Sequence, residues 1–385
     1  MTNDARRPRA KDHLVTVLGS ARKTLPEDAR RQNRSLLLRA LHHGGPTSRA
    51  ELAKLVGLTP ATVSAVINDD LASGLVAELG LTRGNVGKPA TVVGIAPGAR
   101  HVVTVGLSEP ERFTGAVVDL AGNVVTRRAY ARDGRVGEAA VELVERIATE
   151  MVTAASAPVL GVGVATPGIV EASGAVLIAS RLAWHDVKLA ERLATHTGLP
   201  VHVANDANAA TLSELTFAHQ GSTDLLLVRV DQGVGAGVVL GGQLLRGSAA
   251  AAGEIGHVVV DPTGAPCTCG KRGCLETQIS GPALEAQVDS ARCEADRDAA
   301  LARAGELLGA ALALVVSTLD IGEIVFSGPV TVTGEPFRHA ATSAIKARTM
   351  PELADRIAIR PSTFGADDVT LGAAALVLDQ ELGIR

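Results

Sequence analysis

Aromatic side chains are nearly missing from this chain of 385 residues: one Trp, one Tyr and five Phe make up 2% of it. Any core must then be filled by aliphatic side chains and alanine, and a hydrophobic content of 46% supplies enough of them for two or three domains. The chain also lacks an early apolar run long enough for a signal peptide or a membrane span, so neither is expected. Cysteine is scarce: four residues, three of them crowded together, suit a reducing compartment better than a disulfide framework. The expected location is the cytoplasm, with no membrane partner.

The net charge of −4 hides an asymmetry. Residues 1–100 carry 15 Lys and Arg against 8 Asp and Glu, which leaves about −11 on the remainder. A basic N-terminal part on an acidic body is expected to meet a polyanion.

The crowded cysteines lie in the stretch AGEIGHVVVDPTGAPCTCGKRGCLETQISG. His257, Cys267, Cys269 and Cys274 offer one imidazole and three thiols, the density a tetrahedral Cys₃His zinc site needs. Four protein ligands leave no open position, so the zinc is expected to be structural. Glu254, His257 and Glu276 sit at or beside this knot, where a closed metal site would hold them in fixed positions. Cys293, in a charged helical segment, reads as a bystander.

Along the chain, residues 1–30 mix arginine and lysine with Pro8 and Pro26 and read as a basic, flexible arm, with at most one short helix near His13 to Arg22. NRSLLLRALHHGG then reads as an amphipathic helix, followed by two helical segments around Gly57. Ser48 with Glu51 forms a capping box, and Thr59 before Pro60 gives an N-cap with proline at the first helical position. Counted from Arg49, Ala53, Gly57, Val63 and Val66 stand where a helix-turn-helix needs a small crossing residue, a turn glycine and two inward anchors. The second helix would then bring Pro60, Ala61, Thr62, Ser64 and Ala65 to DNA, with Ser48, Arg49 and Thr59 nearby. GLVAELG and ATVVGIAP read as two strands of a wing around a basic loop holding Arg83 and Lys88.

Beyond Ala96-Pro97-Gly98, HVVTVGL, RFTGAVVDL and NVVTRRAY alternate as three antiparallel strands, before a helix over about 136–155 and the strand VLGVGVA. Asn205, Asp206 and Asn208 cluster where the strand PVHVAN gives way to a helix, a usual place for polar ligand contacts in α/β folds. Gly233, Gly235 and Gly237 fit either a phosphate loop or a tight turn. A long apolar helix leads into EIVFSG, and LGAAALVLDQEL closes the chain.

GEIGH followed by CTCGKRGCLE resembles the zinc signature of the ROK family, which groups bacterial repressors, open reading frames and sugar kinases, and matching segments run from about residue 30 to the C-terminus. The resemblance implies a two-lobed, actin-like ATPase fold in which Glu254, His257 and Glu276 reach a sugar's hydroxyls. In the family's kinases the residue matching Asp206 is the general base, and Ala165-Thr166-Pro167-Gly168 stands at the mouth of the sugar cleft. Gly87-Lys88-Pro89 resembles the Gly-Arg-Pro hook of many ROK repressors. The kinases carry an Asp-x-Gly-x-Thr loop for ATP, but here Leu107 stands in place of its aspartate, and Glu109 and Glu111 in place of glycine and threonine. Two carboxylates beside a triphosphate repel it. Ser327-Gly328-Pro329 keeps one glycine where the kinases have a pair against adenosine.

The expected architecture is α/β: an arm over 1–30, a winged helix-turn-helix over 31–96, and an actin-like ROK body over 97–385. Its first lobe takes 97–204 with the closing helix 369–385, its second lobe 205–368. The expected function is a transcriptional regulator of repressor type, not an enzyme, binding palindromic operator DNA as a homodimer or homotetramer. Asn205, Asp206, Glu254, His257 and Glu276 would bind a small sugar effector. The rivals are a sugar kinase with a fused DNA-binding domain and a regulator whose body senses a protein partner.

Overall fold

The computed structural model describes residues 26–81, 89–218 and 223–385. Most of the arm, with the helix expected near His13 to Arg22, lies outside the described residues, as do Arg83, Lys88 and the Gly87-Lys88 part of the hook. Helix α1 (Pro26–Gly44) starts inside the stretch read as an arm. Glu27 and Asp28 in its first turn complement the positive end of the helix dipole, so that stretch is ordered helix rather than solvated tail.

Helices α2 (Arg49–Val56) and α3 (Pro60–Ala72) follow, bent by 118° around Gly57, whose φ of +69° favours glycine. Both are capped. Glu51 N–H donates to Ser48 Oγ at 3.3 Å while Ser48 N–H donates to Glu51 Oε2 at 3.4 Å, and Thr62 N–H donates to Thr59 Oγ1 at 3.2 Å. Strands β1 (Thr47–Ser48), β2 (Val76–Leu81) and β3 (Thr91–Ile95) complete the winged helix in the order β1-β3-β2, all antiparallel. Leu37, Leu38, Leu52, Val63, Ile67 and Val93 are fully buried beneath them; each contributes about 1.5–3 kcal/mol of burial free energy.

The first large sheet is built from β4 (His101–Gly106), β5 (Arg112–Asp119), β6 (Val124–Ala131), β7 (Val159–Thr166) and, beyond a small sheet of β8 (Ile169–Val170), β9 (Val176–Ala179) and β10 (Trp184–Val187), β11 (Val201–Asn205). Its order is β11-β7-β4-β5-β6, with helices α4 (Gly137–Ala154) and α5 (Leu189–Thr197) on one face. After α6 (Asp206–Phe217) comes the second large sheet: β12 (Leu225–Val230), β13 (Val234–Leu240), β14 (Gln243–Leu244), β15 (Glu323–Ser327) and β16 (Ala358–Pro361), ordered β14-β13-β12-β15-β16. The remaining helices are α7 (Glu276–Ile279), α8 (Gly281–Asp289), α9 (Glu294–Leu319), α10 (Glu335–Lys346), α11 (Pro351–Ala354) and α12 (Asp368–Leu382). Of these, α9 is long and apolar enough to cross a membrane by length and composition, but half of its most apolar window is buried, and it packs against α10.

Between the two sheets lie α6 and α12, packed on each other. Helix α12 rests on β4, β7 and β11, while α6 rests on β12 and β13. A Cβ on Gly372 would come within 1.8 Å of Ala209 O, so the helices meet backbone to backbone. Ala207, Ala209, Ala210, Ala373, Ala374 and Ala375 fill the seam at 1% exposure or less. Scarcity of aromatics thus has a structural counterpart: small residues allow close approach, and contact area replaces side-chain bulk.

The C-terminal ends of these two helices meet α1. Ser35 Oγ donates to Gly383 O at 2.9 Å, Arg39 Nη2 donates to the same oxygen at 3.2 Å, and His42 Nε2 pairs with Thr216 O at 3.0 Å. One hydrophobic cluster runs without a break from Leu37, Leu41 and Ile67 in the winged helix to Leu378 and Leu382 in α12.

Candidate functional site

His257, Cys267, Cys269 and Cys274 converge: one ligand atom from each lies within 4.8 Å of every other. Cys267 Sγ stands 3.5 Å from His257 Nδ1, and Cys269 Sγ 3.6 Å from Cys274 Sγ. Ligands at about 2.0–2.3 Å from one tetrahedral ion stand roughly 3.5–3.8 Å apart, so the donor set and its spacing fit a metal ion of the zinc type. Isolated bridges Val259 to Cys274 and Pro266 to Arg272 fold the loop back on itself. Burial, reinforced by the Cys269 and Cys267 thiols, pushes Cys274 up to about 12, which a bound cation would reverse. Cys293 is the exposed N-cap of α9, away from the group.

Beside this knot a cleft of about 520 Å³ opens between the two sheets, in the range of roughly 300–1,000 Å³ usual for small-molecule sites. Asn205, Asp206, Glu254, His257 and Glu276 all line it, together with Pro167 and Gly168. A larger, open groove between α9 and α10 holds none of the sequence-derived site residues.

Each cleft group is placed by a neighbour. Asn205 caps α6 by accepting from Ala207 N–H at 2.9 Å and Asn208 N–H at 3.3 Å, while its own Nδ2 donates to Gly168 O at 2.9 Å. Asp206 opens α6 and accepts from Ala207 N–H at 2.9 Å; burial raises it above the usual carboxylate range, opposed by the Arg229 charge. Glu254 is raised by burial as well, against the pull of His257, whose Nε2 lies 3.8 Å away. Glu276 opens α7 and accepts from Val234 N–H at 3.0 Å.

Sequence reasoning missed Arg229, Asp231, Asp368 and Arg181. Arg229, at the end of β12, donates through Nη1 to both oxygens of Asp368 at 3.0 and 2.9 Å and to Ser327 Oγ at 3.1 Å, and through Nη2 to Asp231 at 2.6 Å. Ser327 Oγ donates to Asp368 in turn. This knot joins the ends of β12 and β15 to the first residue of α12. From the first lobe, Arg181 Nη2 donates to Gln232 O across the cleft. The one available signal was the acidic Asp368 at the head of α12, just before its apolar run over residues 371–378.

Where the resemblance places a kinase phosphate loop, Leu107 is buried at 2% exposure and its N–H donates to Ala165 O at 2.9 Å. Glu109 and Glu111 are exposed, and Glu109 pairs with Arg112 at 2.5 Å. The glycine run serves packing: a Cβ on Gly237 would fall 2.0 Å from Thr211 Oγ1 in α6, and one on Gly233 2.6 Å from Glu276 Oε2.

On the winged helix, Thr59, Pro60, Ala61 and Ala65 are exposed, and Thr62 and Ser64 are half-buried, at the free N-terminal end of α3. Ser48 is buried, its hydroxyl occupied by the capping box. Arg49 donates to Asn68 and Glu78, both at 3.3 Å. Arg30 pairs with Asp69 and Arg34 with Asp70, so much of the positive charge on the described part of the head is neutralised internally.

Fold and site together define a class: a winged helix-turn-helix joined to a two-lobed, actin-like body of the sugar-kinase type. The chain belongs to the ROK family, whose sequence model matches residues 110–380. It is 24% identical over 371 residues to a xylose repressor of Bacillus spizizenii, covering 91% of this chain and 96% of the repressor. The crystal structure of a ROK family transcriptional regulator, a homologue of the E. coli Mlc protein, superposes with a TM-score of 0.79 at 24% identity over 92% of this chain and 98% of the other. A ROK family glucokinase from Streptomyces griseus in complex with glucose and AMPPNP matches with a TM-score of 0.63 at 25% identity, over 72% of this chain and 98% of the kinase.

Proposed function

We propose that this chain is a DNA-binding transcriptional regulator of repressor type whose body senses a monosaccharide or sugar derivative. One observation carries the reading: α6 begins at the cleft with Asp206, α12 begins just behind it with Asp368 bound to the cleft-lining Arg229, and each ends against α1 of the DNA-binding head. A ligand drawn to Asn205, Asp206, Glu254, His257 and Glu276 would shift these two packed helices, and with them the head. Carboxylates and an imidazole suit vicinal hydroxyls, which donate and accept in pairs.

Exposed residues at the N-terminal end of α3 would enter the major groove, with Arg83 and Lys88 in the wing loop adding phosphate or minor-groove contacts. The division into arm, head and body at about residues 30 and 96 belongs to the same reading, as do a palindromic operator, a homodimer or homotetramer and a cytoplasmic location. Zinc, held by His257, Cys267, Cys269 and Cys274, has a structural role: it would fix Glu254 and His257 at the edge of the cleft.

The body is not a working kinase in this reading. Buried Leu107 takes the position of the metal-facing aspartate, and the Arg229 knot closes the ends of β12 and β15. A coupled assay of ADP release over a panel of hexoses should stay at background; turnover would restore the kinase alternative.

Fluorescence anisotropy on DNA from the chain's own upstream region, with and without hexoses, pentoses and amino sugars, tests the main reading. Binding that one sugar shifts supports it. Binding that no sugar alters moves the body's role to a protein signal, and absence of binding at low salt removes DNA binding by residues 31–96.

A further inference from the structure

We propose that the cleft takes a ligand without an anionic group, an uncharged monosaccharide or an amino sugar, and rejects the phosphate ester of the same sugar. This rests on the sugar-sensing reading above and narrows it. A phosphate is held in proteins by free backbone N–H groups at a helix N-terminus, by a glycine-rich turn, or by an arginine with unoccupied donors. The cleft contains candidates of each kind, and the chain itself already engages donors in every one of them.

At the N-terminus of α6 the amides of Ala207 and Asn208 donate to Asn205, and Ala207 also to Asp206. Beside Gly233, at the turn between β12 and β13, the Val234 amide donates to Glu276. Arg229 is engaged through Nη1 by Asp368 and Ser327 and through Nη2 by Asp231, which leaves only its buried Nε without a partner, and Arg181 gives Nη2 to Gln232 O. Its side chain is only 13% exposed, and that of Asp368 1%, so solvent screens this pair little.

The charge balance points the same way. Asp206, Asp231, Glu254 and Glu276 line the cleft against Arg181 and Arg229, with Asp368 behind Arg229. A dianionic phosphate entering here would meet more carboxylates than guanidinium groups, and to reach the α6 amides, the Val234 amide or the Nη atoms of Arg229 it would have to displace an internal acceptor. Sugar hydroxyls need no such displacement, because each can donate to a carboxylate already held in place.

The test is isothermal titration of the full chain with glucose, xylose and glucosamine, and with glucose 6-phosphate, xylose 5-phosphate and glucosamine 6-phosphate. For whichever sugar binds, the ester should bind at least about 100-fold more weakly, the scale of like-charge juxtaposition in a partly buried site. In Asp231→Asn, with circular dichroism as a check on folding, the gap should narrow by about tenfold as the cleft loses one carboxylate charge. An ester that binds as tightly as its parent sugar, or more tightly, overturns the proposal and leaves sugar sensing intact. If none of the six compounds binds, sugar sensing fails and this proposal with it.

Discussion

Glu254 Oε2 lies 3.8 Å from His257 Nε2, while the other nitrogen of the same imidazole, Nδ1, faces Cys267 Sγ at 3.5 Å. A metal on Nδ1 would fix the proton on Nε2 and turn it toward the carboxylate and the cleft. The metal centre and the ligand cleft therefore share one ring. Replacing Cys274 with serine should release about one metal equivalent per chain and weaken sugar binding about 10- to 100-fold, although Cys274 is not among the cleft-lining residues. Metal content by atomic emission and titration with the effector check both; retention of full affinity without metal would separate the two sites.

Asp206 gives the cleft a pH dependence. Burial raises its folded-state pKa above the ordinary carboxylate range, and a sugar hydroxyl donates to the ionised form. As pH falls from neutral, Asp206 takes up its proton earlier than an exposed aspartate with pKa about 3.9, so affinity is full above the raised pKa and falls below it by at most about tenfold per pH unit. Titration calorimetry as the pH is lowered from neutral, with metal content monitored, should show the decline setting in at a higher pH than an exposed aspartate would give, and a weaker, flatter profile in Asp206→Asn.

Gly383 joins head to body. Its φ is +68°, and a Cβ there would stand 2.1 Å from Ser35 Oγ. Gly383→Ala should cost about 1–2 kcal/mol, from the left-handed backbone and the displaced Ser35 contact. It should also reduce the sugar-induced change in operator affinity while leaving sugar affinity within about twofold. Anisotropy with and without effector separates the two quantities.

Ala61 lies exposed in the first turn of α3. Ala61→Glu places a negative charge where the reading puts DNA, so operator affinity should fall at least about tenfold. A carboxylate near a helix N-terminus favours the helix, so the thermal midpoint should hold or rise slightly. Loss of binding together with a lowered midpoint would point to misfolding instead. Thr59→Ala, by contrast, removes a cap and should cost about 1 kcal/mol.

Features carried by neighbouring residues were readable from the sequence. The metal ligands fall within eighteen residues, the capping box within four, and the winged helix within one run of the chain. The Arg229 knot was not readable, because Arg229, Ser327 and Asp368 come from three elements and each has an ordinary local role as strand end or helix start. The glycines at 233, 235 and 237 gave an ambiguous pattern for a physical reason: phosphate loops and close helix packing both exclude a Cβ. The beginning of α1 was obscured by its charge, since Glu27, Asp28, Arg30 and Arg31 suit a solvated tail as well as the first turns of a helix. Its partners in the fold decide between the two: Asp69 and Asp70 of α3 for Arg30 and Arg34, and further along the helix the C-terminal ends of α6 and α12.

Because the hydrophobic cluster of the head continues into α12, the seam between the parts runs along α1 rather than across the chain at one peptide bond. Exchange of DNA specificity between relatives is thereby constrained. A chimera that grafts a foreign segment over residues 45–95 and keeps the native α1 retains Ser35, Arg39 and His42 against Gly383 and Thr216. A graft that replaces α1 as well must bring its own match to the end of α12, so under the proposed function recombination that retunes the operator without silencing the response is confined to the helix-turn-helix and its wing.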